Sequence, residues 1–127
     1  MPTVRRPRVP VAETLSGAQA EALAGAHLQA AGLKLVTRNY RCPPGEIDLI
    51  LDDRGTLVFV EVRYRRSSAF GSPAESVDAR KRARILAAAR HYLLAQRGDP
   101  RCRFDVVAIT GGDAPRVEWL QDAFRAD

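Results

Sequence analysis

Two short stretches, "EIDLIL" at 46–51 and "TLVFVEVRYR" at 56–65, are separated only by "DDRG", and no other feature of the chain constrains its fold so tightly. Both are rich in β-branched or aliphatic residues, and a polar, glycine-ended linker between them marks a β-hairpin. Along "VFVEVRYR" three valines and Tyr64 take every second position, with Phe59, Glu61, Arg63 and Arg65 between them. Side chains alternate faces along a strand, so Glu61, Arg63 and Arg65 project together, away from the valines. With Asp52 to Gly55 as the turn, the predicted register pairs Leu51 with Thr56, Asp48 with Phe59 and Glu46 with Glu61. Cross-strand partners share a face. One face then holds Ile47, Leu49, Leu51, Val58, Val60 and Val62, and the other gathers Glu46, Asp48, Glu61 and Arg63. A slip of one residue would mix the two sets, so the apolar pattern itself selects the pairing.

The remaining elements follow from periodicity and caps. "SGAQAEALAGAHLQAAG" opens with Ser16 and Gln19 at capping-box spacing and ends at Gly32, a helix whose apolar stripe is Ala20, Leu23, Ala24, His27, Leu28 and Ala31. "LKLVTRNY" reads as a strand entering the turn "RCPPG". Asp78 caps a second helix from about Ala79 to Gln96, with Ile85, Ala88, Ala89, Tyr92 and Leu93 inward. "RFDVVAI" is a fourth strand and "RVEWL" a short fifth. The order is αβββαββ, which implies an α/β domain with one mixed sheet flanked by helices.

The 127 residues fit a single domain, 16–127, preceded by a basic, proline-bearing arm over 1–15 that is expected to be flexible. Its first residues lack an apolar h-region, and no stretch is apolar enough to cross a membrane, so a cytoplasmic protein without membrane partners is expected. Cys42 and Cys102 are far apart, and His27 and His91 have no zinc-ligand spacing, so neither a disulfide nor a zinc site is expected. The net charge is +5 and nearly all the basic residues are arginine, Lys34 and Lys81 being the only lysines. Arginine binds phosphate in a two-pronged fashion, which makes an anionic partner such as nucleic acid plausible. Arg80, Lys81, Arg82, Arg84 and Arg90 share the second helix, a candidate track for a phosphate backbone. Aromatic residues are too sparse for a base-stacking platform.

The acidic face raises a physical problem. Carboxylates held side by side repel, and burial raises the cost. Ion pairs with Arg63, Arg65 or Arg41 would relieve it, and so would a hard divalent cation, which favours clustered carboxylate oxygens. Glu21 borders the apolar stripe of the first helix and could join the cluster if that helix packs beside the hairpin.

The stretches "NYRCPPGEIDLI", "LVFVEVRYR" and "RFDVVAI", together with Lys81, resemble the YraN-like family, small and largely uncharacterised bacterial proteins assigned to the restriction-endonuclease-like fold and related to archaeal Holliday-junction resolvases. The resemblance runs from about Ala18 to Ile109. It implies a nuclease-type site of the form E…D…E-x-K, with Glu21 as the helix acid, Asp48 and Glu61 as ligands to Mg²⁺ or Mn²⁺, and Arg63 where the family has lysine. Glu46 is a possible additional acid, and Arg65, Arg80, Lys81 and Arg84 are candidates for nucleic-acid contact. The relation to resolvases also implies branched or structured DNA as substrate and a two-fold homodimer. Arginine at position 63 keeps the positive charge but cannot be deprotonated at working pH, so weak or absent cleavage is expected. Two other readings stay open: a binding module of this fold that has lost cleavage, and a structural or interaction domain whose acidic face only forms ion pairs.

Overall fold

In a computed structural model the described residues are 15–65, 76–111 and 114–126. The arm over 1–14 and most of the loop "FGSPAES" lie outside them. The elements are α1 (Gly17–Ala30), β1 (Lys34–Cys42), β2 (Gly45–Asp53), β3 (Thr56–Arg65), α2 (Ala79–Leu94), β4 (Cys102–Thr110) and β5 (Arg116–Phe124). This is the expected αβββαββ order, with β5 longer than "RVEWL". The five strands form one mixed sheet in the order β1-β2-β3-β4-β5. Only β3 and β4 run parallel, because the α2 crossover returns the chain to the same end of the sheet.

Helix α1 starts where the sequence predicts. The Ser16 side chain accepts from the Gln19 amide while the Gln19 side chain accepts from the Ser16 amide, a complete capping box. Asp78 likewise accepts from the Lys81 amide at 2.8 Å to start α2. The two helices cover opposite faces of the sheet. Ala20, Ala24 and Leu28 of α1 pack on Leu49, Leu51, Val58, Val60, Val107 and Ile109. Ile85, Ala88 and Ala89 of α2 pack on Ile50, Phe59, Phe104 and Val106. Burying each large aliphatic or aromatic side chain contributes about 1.5–3 kcal/mol, so this alternation of faces along β2 and β3 fixes the register.

The hairpin turn is tighter than predicted. Asp53 pairs with Thr56 and Leu51 with Val58, leaving a two-residue turn of Arg54 and Gly55. Both have positive φ, 53° and 95°, as a primed hairpin turn requires. The register therefore differs by two residues from the predicted one, an even shift that keeps each β3 side chain on its expected face. Ile47 is the exception. It packs with Ile50 and Phe59 under α2 and not with Leu49 and Leu51 under α1. The β1–β2 pair is irregular just there: Asn39 of β1 has φ 51° and lies between the Arg38↔Leu49 and Tyr40↔Ile47 pairs. Asparagine tolerates this left-handed conformation better than most residues.

Both outer strands carry further kinks. The β1–β2 pairing shifts between Leu35 and Thr37, and the β4–β5 pairing shifts between Phe104 and Val106. In β5, Asp122 has φ 52°, and its amide donates to the fully buried Asp105 at 2.9 Å. Asp105 also accepts from both prongs of Arg103 and from the Trp119 indole at 2.8 Å. A buried carboxylate with this many donors pins β4 to β5. No helix among the described residues is long and apolar enough to cross a membrane.

Candidate active site

The candidate site lies where β2 and β3 part. Their ladder ends at Leu49↔Val60. One step further, extrapolating that register would place Asp48 opposite Glu61. There the Val62 amide donates to Asp48 Oδ2 at 2.8 Å, a side-chain oxygen in place of a backbone carbonyl. Asp48 is thereby anchored, and its carboxyl group is a neighbour of Glu61 that raises the Glu61 pKa. The predicted register put Glu46 opposite Glu61. The two-residue shift puts Asp48 there instead.

Glu61 is 4% exposed. Its carboxyl group is pushed up to about 7, first by burial and then by the negative charge and hydrogen bond of Asp48, with Lys81 and Arg63 pulling the other way. Arg63 Nη1 and Lys81 Nζ each lie 3.5 Å from the same oxygen, Glu61 Oε2. Two cations therefore touch this carboxylate, yet burial and Asp48 outweigh them. The site retains an unmet demand for positive charge.

Glu21 reaches the same neighbourhood from α1. Its carboxyl group is raised above the ordinary value by burial, then by Asp48 and, more weakly, Glu46, while a hydrogen bond from the Asn39 side chain and the charge of Arg41 lower it. The left-handed turn at Asn39 thus sits beside the acids it serves, a common position for backbone strain. Glu46 forms an ion pair with Arg41 across the β1–β2 hairpin at 3.3 Å. Among the described residues no group of three or more His, Cys, Asp or Glu side chains is arranged to hold a metal ion. The neighbouring pair Asp48 and Glu61 offers an all-oxygen donor set, and that suits Mg²⁺, which binds through one or two carboxylates and keeps waters or substrate phosphate oxygens for its other positions.

Of the residues predicted for nucleic-acid contact, Arg80 and Arg84 are exposed on α2. Arg65 is half-buried and engaged within the sheet, with Nε 3.5 Å from Thr110 Oγ1 and Nη2 3.5 Å from Glu118. Lys81 is half-buried and turned into the carboxylate pair. Sequence reasoning counted Lys81 in the family resemblance and on the basic helix but not beside Glu61, because nothing in a linear motif shows that the first turn of α2 lies over β3. Asn39 went unremarked too. Its signal was present, a turn-forming residue in the middle of the strand "LKLVTRNY".

Residues 20–109 match the uncharacterised protein family UPF0102, and that span contains every residue of the site from Glu21 to Lys81. The chain belongs to UPF0102. This is the YraN-like family that the motifs resembled. Among UPF0102 relatives, a protein of Paracidovorax citrulli is 60% identical over 115 residues, covering 87% of this chain and 83% of its own length. One from Nitrosococcus oceani is 54% identical over 114 residues, covering 87% of this chain and 92% of its own length. One from Cupriavidus pinatubonensis is 55% identical over 112 residues, covering 87% and 86%. The relation to restriction endonucleases and resolvases does not follow from these matches.

Proposed function

We propose that this UPF0102 protein is a nuclease-like, metal-dependent phosphodiesterase acting on branched or structured DNA. The observation that carries the reading is the juxtaposition of Asp48 and Glu61 at the parting of two strands, with Glu61 held near pH 7 despite two cations on one of its oxygens. Asp48 and Glu61 are the residues that would hold Mg²⁺ or Mn²⁺. When bound, the metal would supply Lewis-acid charge at a scissile phosphate.

The protein's own side chains have separable roles in this reading. The Val62 amide fixes the orientation of Asp48. Arg63 supplies a permanent charge and a planar fork suited to phosphate oxygens. Lys81 supplies the compact ammonium that position 63 lacks, directed at the same Glu61 oxygen. The expectation of weak cleavage rested on position 63 alone, and an ammonium arriving from α2 weakens that reasoning. Nucleic acid as partner is supported by the first turn of α2, which contains Arg80, Lys81 and Arg82 and no acidic residue. Cations at the positive end of a helix dipole cost helix stability and concentrate positive potential beside Glu61. A two-fold dimer cutting paired strands belongs to the same proposal.

The ion pairs at Glu61 also support a second reading, a cleavage-deficient binding module in which Arg63 and Lys81 take the place of a metal. A cleavage assay on branched, flapped and linear DNA with Mg²⁺ or Mn²⁺ separates the two. Metal-dependent cutting by the wild type, abolished in Asp48→Asn and Glu61→Gln, is the expected result. Binding without cutting on every substrate would leave the binding module.

A further inference from the structure

The β1–β2 turn, "CPPG", is pressed onto α2 with no side chain between them. A Cβ added to Gly45 would lie 2.5 Å from the Arg84 carbonyl oxygen and 3.1 Å from its carbonyl carbon, well inside contact distance. Gly45 is therefore the residue that lets the turn seat on the helix backbone, and this seat fixes Arg84 relative to the strand end that carries Arg41. Beside it is an open cavity of about 250 Å³ lined by Arg41, Cys42, Pro43, Gly45, Glu46 and Arg84. Two arginines from different elements, Arg41 of β1 and Arg84 of α2, thus line one small cavity together with the proline-bearing turn. Among the described lining residues the one acid is Glu46, paired with Arg41 at 3.3 Å.

We infer that this cavity is a phosphate subsite, holding a backbone phosphodiester next to the one presented to Asp48 and Glu61. With two arginines against one glutamate, the lining carries one net positive charge, the complement of one phosphodiester. Guanidinium forks grip phosphate oxygens in pairs, and walls held by Gly45 and the prolines need little ordering when the ligand arrives. The cavity is joined to the carboxylate site through β2, which carries Glu46 in the cavity lining two residues before Asp48. Glu46 is a built-in competitor: it must yield part of its hold on Arg41 when a phosphate enters. The inference rests on the proposed nucleic-acid reading but concerns a different set of side chains.

The test is fluorescence anisotropy with fluorescein-labelled duplex and four-way-junction DNA, in EDTA and over a series of salt concentrations, so that metal and cleavage play no part. Arg41→Ala and Arg84→Ala are each expected to weaken binding roughly tenfold, and each to reduce the log–log salt slope by about one. Glu46→Gln should act in the opposite direction and tighten binding, because it frees Arg41. Duplexes with a single neutral methylphosphonate at successive positions should reveal one phosphate whose neutralisation costs the wild type and costs the Arg41→Ala/Arg84→Ala protein nothing. Arg41, Arg84 and Glu46 are solvent-facing, and thermal melts of the variants should overlay that of the wild type. If the wild type binds DNA while the double variant keeps its affinity and slope, the subsite is overturned and the proposed function stands. If Glu46→Gln weakens binding, the subsite is likewise overturned. If the wild type binds neither DNA at low salt, the subsite and the nucleic-acid reading fall together.

Discussion

Replacing Glu61 by glutamine should stabilise this protein at alkaline pH, an unusual outcome for a substitution at a buried polar position. Glu61 has a carboxyl group raised from 4.5 to about 7 in the folded state. The native protein thus binds this proton more tightly than the unfolded chain does. The resulting stability is fully present below pH 4.5 and is lost as pH rises through 7. The gap between 4.5 and about 7, at about 1.4 kcal/mol per pH unit, corresponds to about 3 kcal/mol. Glutamine mimics the protonated acid at every pH. In EDTA, urea denaturation should therefore show Glu61→Gln more stable than the wild type by about 3 kcal/mol at pH 8, with the difference shrinking steadily towards pH 5. Millimolar Mg²⁺ at pH 8 should narrow the gap by stabilising the wild type alone, since a ligand that binds only the native state adds to its stability. Parallel pH profiles for the two proteins would falsify the electrostatic account of the site, as would a less stable Glu61→Gln at pH 8.

Three further outcomes follow from single contacts. Gly45→Ala forces the β1–β2 turn off the Arg84 carbonyl, and should lower stability by about 1–3 kcal/mol, read as a lower urea midpoint at unchanged m value. Asp105→Ala removes the acceptor of the Trp119 indole and the Asp122 amide and leaves Arg103 with Asp53, so a loss of about 3–5 kcal/mol is expected in the same measurement, with a shifted tryptophan emission. If the proposed chemistry holds, Lys81→Met should reduce metal-dependent turnover about 10²-fold with DNA affinity nearly intact, whereas Arg63→Lys should alter turnover only modestly. An inert Lys81→Met substitution in a cleaving protein would remove Lys81 from the site.

The element order, both helix caps and the inward faces of α2 were legible because each rests on local chemistry: Ser16 with Gln19, Asp78 with Lys81, and the spacing of Ile85, Ala88 and Ala89. The acidic grouping was legible for a similar reason, since strand alternation survives an even shift in register. The turn itself was read two residues too wide. Sequence alone does not show that a non-glycine residue, Arg54, takes a positive φ before Gly55. Ile47 was assigned to the wrong face because alternation assumes a regular strand pair, and the left-handed Asn39 breaks it. Lys81 and Arg65 show the larger limit. Lys81 was placed on a basic helix face and Arg65 beside Glu61 as an ion-pair or nucleic-acid contact, yet Lys81 reaches Glu61 and Arg65 pairs with Glu118, and those contacts depend on how distant segments stack.

The irregularities of the two outer strands have a consequence beyond the fold. β1 and β5 are the open margins of the sheet, and each would otherwise offer a row of unpaired amides and carbonyls to any passing extended chain. In β1 that row is broken by the shift between Leu35 and Thr37 and by the left-handed Asn39. In β5 it is broken by the bulge opposite Phe104–Val106 and by Asp122, whose amide is turned inward to Asp105. A strand growing against either margin would lose register within a few residues. The same asparagine that bends towards Glu21 therefore also discourages the sheet from templating intermolecular ladders, and any symmetric pairing of two copies is steered towards helix or loop surfaces and away from a continuous ten-stranded sheet.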